Sequence, residues 1–256
     1  MNSFLSQKMT YETGISEYTI EEAAHGFAIC QNGMAIETPG GAPMIIPNYF
    51  LGEQIVEEIL AKGTKRDTGR APLMQLTVTA IDAVHPARDE VIEQIMAFAE
   101  SDLLCHRAEG PKALVKEQQR VWQPILDWCG KRIKSHLKVG VGVMPVEQAP
   151  ETIEALRRTV MSMNDFMLTG LMQAVTASGS LVLGLALAFQ QLNAIQVYTA
   201  AELDITFQEQ KWGDDPEASI GHDAVRNELT MCGRWFGILA NTKRKPTGGH
   251  YETLGY

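Results

Sequence analysis

Adjacent Cys105 and His106 are the nearest approach in the sequence to a thiol with its base, and Gly140-Val141-Gly142 is the nearest approach to a cofactor loop. Neither completes its chemistry. Neighbouring side chains point to opposite faces of a strand and diverge by about 100° on a helix, so Cys105 and His106 do not converge on one reacting atom. Gly140-Val141-Gly142 lacks the third glycine of a dinucleotide fingerprint and runs into Met144 and Pro145, leaving no helix N-terminus to receive a pyrophosphate. The histidines His25, His85, His106, His136, His222 and His250 never fall at the i, i+4 spacing of a zinc pair. Cys30, Cys105, Cys129 and Cys232 form no C-x-x-C pair and read as buried free thiols in a reducing compartment. Glu57 with Glu58 and Asp214 with Asp215 read as surface and turn residues. No catalytic residue, cofactor or metal is expected. Most of the 12 methionines read as core filler, on stripes such as Met163 and Met167.

Composition narrows the class further. With 45% hydrophobic and 21% charged residues the chain is expected to fold, and its net charge of −9 repels nucleic acid and anionic lipid at long range. The basic runs Lys131, Arg132, Lys134, Lys138 and Lys243, Arg244, Lys245 are too short to reverse that and read as a solvated helix end and a tail. The most apolar stretch, Ser180 to Phe189, is about half the length that crosses a bilayer and predicts a core helix rather than an anchor. Residues Met1 to Tyr11 show neither an apolar core nor an arginine-rich amphipathic pattern, which predicts the cytoplasm of a bacterium.

The elements that must position any site change character along the chain. Phe27 to Gln31, Asn32-Gly33 and Met34 to Ile36 read as a hairpin with a two-residue turn, Met44 to Ile46 as a further strand, and Asn48 as the N-cap of a helix to about Ala61. After Asp82 the apolar period becomes helical. Helices are predicted from Pro86, and from Pro111 with the stripe Leu114, Val121, Ile125 and Trp128 divided or kinked at Pro124. The run of alternating glycine and valine from Val139 reads as an isolated strand or connector. One long stripe runs from Pro150 through Ile153, Leu156, Val160, Met163, Met167, Leu171 and Val175. Further helices are predicted over Ser180 to Leu192, Ile195 to Trp212 and Ser219 to Leu239, with Gly213-Asp214-Asp215-Pro216 as a stop and a loose tail from Asn241. The fold class is α+β: a small N-terminal β-rich domain with one helix, residues 1–82, then a larger all-helical C-terminal domain, residues 83–256.

Three segments carry a resemblance. Pro72-Leu73 precedes Thr79-Ala80-Ile81-Asp82, which is followed by Asp102-Leu103-Leu104-Cys105-His106-Arg107; Gln118-Gln119-Arg120-Val121-Trp122-Gln123-Pro124-Ile125-Leu126-Asp127-Trp128 is the second; Leu203-Asp204-Ile205-Thr206-Phe207-Gln208-Glu209-Gln210-Lys211-Trp212-Gly213 is the third and most specific. Together they resemble the assembly chaperones of the ATP synthase α subunit found in mitochondria and α-proteobacteria. The resemblance implies a two-domain α+β fold, no catalytic activity, and the unassembled α subunit as partner, with no nucleic acid and no membrane insertion. It places Asp204 on the family's functional acidic position, with Glu209 and Lys211 as weaker contacts. Trp122, Trp128 and Trp212 are expected to pack the helical domain. The chain departs from the pattern at Asn32-Gly33-Met34 and Glu37-Thr38-Pro39, where two basic residues are absent, and at Ile59, Gln75 and Val78. Two competing readings are a small-molecule hydrolase or transferase with an interdomain cleft site, which convergent His, Asp or Cys side chains in a pocket would favour, and a scaffold retained in the finished enzyme.

Overall fold

The computed structural model describes residues 11–13, 16–62, 71–142, 144, 146–212 and 216–241. The N-terminal segment, the Gly213-Asp214-Asp215 stop, His250 and the basic run at Lys243 lie outside them. The chain divides into two compact units, Met1–Asp82 with Ile238–Tyr256, and Ala83–Gly237. Of the described residues near the end of the chain, Ile238 to Asn241 group with the first unit.

In the first unit, β1 (Tyr11–Thr13), β2 (Ser16–Ala23) and β3 (Gly26–Gln31) form an antiparallel meander. β4 (Met34–Ala35) and β5 (Ile45–Ile46) share the outer edge of β3, at residues 30–31 and 27–28 respectively. Asn32 and Gly33 both take the left-handed dihedrals that a two-residue hairpin turn needs. The predicted cap is present: Asn48 Oδ1 accepts from Leu51 N–H at 2.8 Å and opens α1 (Tyr49–Ala61). The Asn48 amide also donates to the carbonyls of Ile238 and Leu239. Ile20, Ile29, Ile46, Leu51, Ile55 and Val56 form the core. A second helix, α2 (Pro72–Val78), was not expected; its N-cap, Ala71, has no side-chain acceptor, and the Glu58 carboxylate supplies one to Leu73 and Met74 N–H instead. The Thr-Ala-Ile-Asp segment winds as a π-helical turn, Thr79–Val84, whose Asp82 takes the Thr38 hydroxyl at 2.6 Å and Gly40 N–H at 2.9 Å, so this motif locks the Thr-Pro-Gly-Gly turn.

The second unit contains α3 (Arg88–Glu100), α4 (Lys112–Ile133), α5 (Pro150–Met161), α6 (Asp165–Ser178), α7 (Leu181–Ala188), α8 (Ala194–Ala201), α9 (Leu203–Trp212) and most of α10 (Pro216–Leu239). Every residue of α7 is buried, so the apolar stretch is a core helix with no solvent face. No helix among the described residues is long and apolar enough to cross a membrane. The single stripe expected from Pro150 is two helices, because Asn164 caps α6 through Met167 N–H while the apolar spacing continues across the break. The segment from Ile195 likewise splits at Glu202, whose N–H closes α8 onto the Tyr198 carbonyl. Pro124 does not divide α4; it and Arg120 are exposed, so the carbonyl that loses its donor faces water. Two short strands, β6 (His106–Arg107) and β7 (Gly140–Val141), pair in parallel within this helical unit.

Two carboxylates hold the helical unit together. Asp102 is 1% exposed, and its oxygens accept from the Ser180 hydroxyl at 2.8 Å, Val182 N–H at 2.9 Å and Leu104 N–H at 3.0 Å, which ties the start of α7 to the segment after α3. Burial pushes its carboxyl up against these hydrogen bonds. Asp165 receives Arg88 and His85, and Arg88 also donates to the Met161 and Met163 carbonyls that α5 leaves open. Burial pushes the Asp165 carboxyl up, but the hydrogen bonds and charges of His85 and Arg88 outweigh it and hold it below the ordinary range.

Asp102→Ala strands buried donors, and urea unfolding is expected to show a loss of about 2 to 4 kcal/mol. A lowered Asp165 value means a contribution present above the unfolded carboxylate range and lost as pH falls through the folded value. Asp165→Asn is therefore expected to be less stable than the parent by roughly 1 kcal/mol at pH 7, with the two unfolding midpoints converging below about pH 4.

Candidate functional site

Asp102 fixes the origin of a chain of contacts that ends at Asp204. From Asp102 the backbone makes a 3-10 turn, Leu103–Cys105, with Leu104 and Cys105 buried, and enters β6. Burial pushes the thiols of Cys105, Cys129 and Cys232 up to about 12, as expected of packed, unreactive cysteines, and all four cysteines are buried and outside any disulfide. His106 is half-buried at the start of β6, whereas Cys105 is buried in the turn before it.

Arg107 is 5% exposed and lies over the Trp122 ring at 5.1 Å from its centroid, donating to the Leu104 carbonyl and, at 3.4 Å, to Gln123 Oε1. Its Nε has no hydrogen-bond partner among the described residues. Burial pushes the guanidinium down from its usual range, while Cys105 and the Asp204 carboxylate act in the other direction. Trp122 is fully buried, its indole N–H donating to the Ala200 carbonyl at 2.8 Å, so it packs the interior as expected. Trp128 is half-buried, its ring 6.5 Å from that of Phe189.

Gln118 is the fully buried amide that joins these parts. Its Oε1 accepts from Ala108 N–H at 2.9 Å, and its Nε2 donates to Asp204 Oδ1 at 2.8 Å. Asp204 is half-buried in the first turn of α9, where a negative charge also complements the helix dipole. Its second oxygen has no hydrogen-bond partner among the described residues, and the following residue, Ile205, is 44% exposed. The other two expected contacts do not join this point equally. Lys211 is exposed two turns further along the same face, whereas Glu209 turns toward His222, its carboxylate 3.5 Å from the Nε2 atom that also lies 3.5 Å from Glu202. Among the described residues no group of three or more His, Cys, Asp or Glu side chains is placed to hold a metal ion.

Sequence reasoning named Asp204 but missed Arg107 and Gln118. The signal for Gln118 was its place on the buried stripe of α4, four residues after Leu114 and four before Trp122, where an amide must find partners. The stripe expected through Val121 and Trp128 is turned: those two are half-buried, and Gln118, Trp122 and Cys129 face the interior.

A carboxylate steadied by a neutral amide, with one oxygen open and an apolar side chain exposed beside it, suits protein recognition. The comparisons with known proteins agree in class. The model of the ATP12 chaperone protein family matches residues 11–130. The mitochondrial protein atp12 of Schizosaccharomyces pombe is 23% identical over 214 residues, 77% of this chain and 72% of that protein. Atp12 from Paracoccus denitrificans superposes with a TM-score of 0.82 at 32% identity, covering 87% of this chain and 95% of that one. An aspartate-to-lysine mutant of the same protein gives 0.82 at 31%, and the Atu1473 protein of Agrobacterium tumefaciens gives 0.77 at 30%, covering 88% of this chain and 84% of that one. The chain belongs to the ATP12 chaperone family, the chaperones of F1-ATPase assembly.

Replacing Gln118 by Leu leaves Ala108 N–H and the inner Asp204 oxygen without their partner, and is expected to lower the unfolding free energy by about 1 to 3 kcal/mol in urea titrations. Gln118→Glu sets a second carboxylate against Asp204 and is expected to cost more than Gln118→Leu.

Proposed function

We propose that this protein binds the unassembled α subunit of the F-type ATP synthase, keeps it from aggregating until it meets the β subunit, and makes its charged contact through Asp204. It acts by covering a surface and releasing it rather than by catalysis. The observation that carries the reading is the state of the Asp204 carboxylate, held by Gln118 Nε2 at 2.8 Å yet not neutralised by it. Family membership, and the resemblance of the Leu203 to Gly213 segment to the family pattern, support the partner. A lone subunit of a ring exposes interfaces meant for its neighbours, and such patches aggregate in water. A lysine or arginine of the α subunit meeting the half-desolvated Asp204 gains more than a fully exposed pair would. Lys211 on the same face is the second contact; Glu209, turned toward His222, contributes through the shape of the α9 surface. The solved bacterial relatives favour the cytoplasm of a bacterium as its setting.

Co-expression with the α subunit of the same organism is expected to keep that subunit in the soluble fraction and to co-purify it. Asp204→Asn, which retains the acceptor for Gln118 but loses the charge, is expected to weaken co-purification about 10- to 100-fold. Asp204→Lys is expected to abolish it, with circular dichroism confirming that both variants fold. Equal solubility of the α subunit with and without the chaperone would sink the proposal.

A further inference from the structure

Among the exposed large apolar side chains described in the helical unit, Met161 and Ile195 stand apart from the stretch that holds three others. Val139 is 40%, Val141 66% and Met144 73% exposed, all within one short stretch, and Ile205 beside Asp204 is 44% exposed. The stretch is the alternating glycine and valine run that offered no cofactor chemistry, and its geometry shows what it does instead.

Its backbone is pinned at both ends. Before it, the buried Gln148 side chain accepts from Lys138 N–H and donates to the Lys138 carbonyl, both at 2.9 Å, so Lys138 cannot drift. After it, Gly142 N–H donates to the Arg107 carbonyl at 2.8 Å, and Val141 pairs with Arg107 in the parallel β6–β7 register. The glycines on either side of Val141 are required there. A Cβ on Gly140 would come within 2.5 Å of the Val146 side chain, and Gly142 has φ +83. Val141 is therefore held outward on a fixed backbone, where an ordinary surface loop would let it fold back against the protein.

This ledge is linked to Asp204 through a short series of bonded residues. Arg107 is the residue over which Val141 pairs, Ala108 follows it, and Ala108 N–H is bound by the same Gln118 amide that holds Asp204. One buried side chain thus sets the spacing between the valine ledge and the carboxylate.

We propose that Val139 and Val141 form, with Asp204 and Ile205, a single recognition surface for a client segment that carries a lysine or arginine flanked by apolar side chains. The inference rests on the α-subunit reading above and specifies the surface and the sequence chemistry it reads. The carboxylate takes the basic side chain and the valines take its apolar neighbours. Because the ledge is already ordered, little conformational entropy remains to be lost on binding.

The test uses the full-length chain co-expressed with the α subunit of its own organism. The readouts are α subunit retained on the purified chaperone and the affinity of that complex in a dilution series. Val139→Ser/Val141→Ser is expected to lower affinity about tenfold with an unchanged melting temperature, since two exposed valines are lost from the contact and none from the core. Val141→Ser alone is expected to give a smaller loss of the same kind. Met161→Ser, at another exposed apolar residue, is expected to bind as the parent does. In a double-mutant cycle, the valine changes are expected to cost less in an Asp204→Asn background, because one segment makes both contacts. Parental affinity in the valine variants, with Asp204→Asn still impaired, would overturn the ledge and leave the chaperone reading standing. Retention of no α subunit by the parent protein would overturn both.

Discussion

A buried aspartate at the head of a buried helix is the constraint on which the helical unit depends. α7 has no face in water, so its first N–H groups need an acceptor from within the protein, and Asp102 provides one. A carboxylate in that position is expensive unless nearly all its lone pairs are used. The Ser180 hydroxyl and the N–H groups of Leu104 and Val182 use them, and the N-terminal end of a helix dipole faces the charge. The same bonds determine where the chain leaves the core: Asp102 to Cys105 is held, β6 starts in a defined direction, and Arg107 arrives over Trp122. Moving Asp102 would move everything that leads to Asp204.

The choice of an amide to steady Asp204 fits the client contact proposed for it. Arg107 is close enough to influence its electrostatics yet makes no ion pair with it among the described residues; its N–H groups are turned to the Leu104 carbonyl and to Gln123. Had the guanidinium gripped Asp204, the pair would have been satisfied internally and a client cation would have had to displace it. Gln118 orients the carboxylate with one N–H and leaves its charge intact. Its other end, occupied by Ala108 N–H, stops the amide from rotating away.

Much of the architecture was legible because local chemistry and tertiary demand agreed. The Asn-Gly hairpin, the Asn48 cap and the apolar Ser180 to Phe189 run each have one favourable solution, and the protein adopts it. The misread boundaries share a cause. At Met161 to Asp165 and at Glu202 the helices stop without a proline or glycine, and the apolar period carries on in phase, so nothing in the spacing marks the break. α2 escaped notice because its N-terminal acceptor, Glu58, lies in another helix. Of the candidate site, Asp204 was singled out by resemblance to a family pattern. Its partners were not, since Gln118 and Arg107 become intelligible only when α4, β6 and α9 are brought together.

Release constrains a chaperone as strongly as capture does. A broad apolar face would hold a client tightly, but it would also bind itself, and it would have to be pulled away against the whole of its buried area. A net charge of −9 and a small recognition surface work against both outcomes. In the proposed surface, two outward valines and one carboxylate would supply a few kcal/mol at most, enough for recognition and too little for permanence. On the proposed reading, such a contact would yield to any partner surface that buries more of the client. The rigidity of the ledge lets so small a surface suffice, and that rigidity comes from Gln148, the flanking glycines and, through β6, from Asp102.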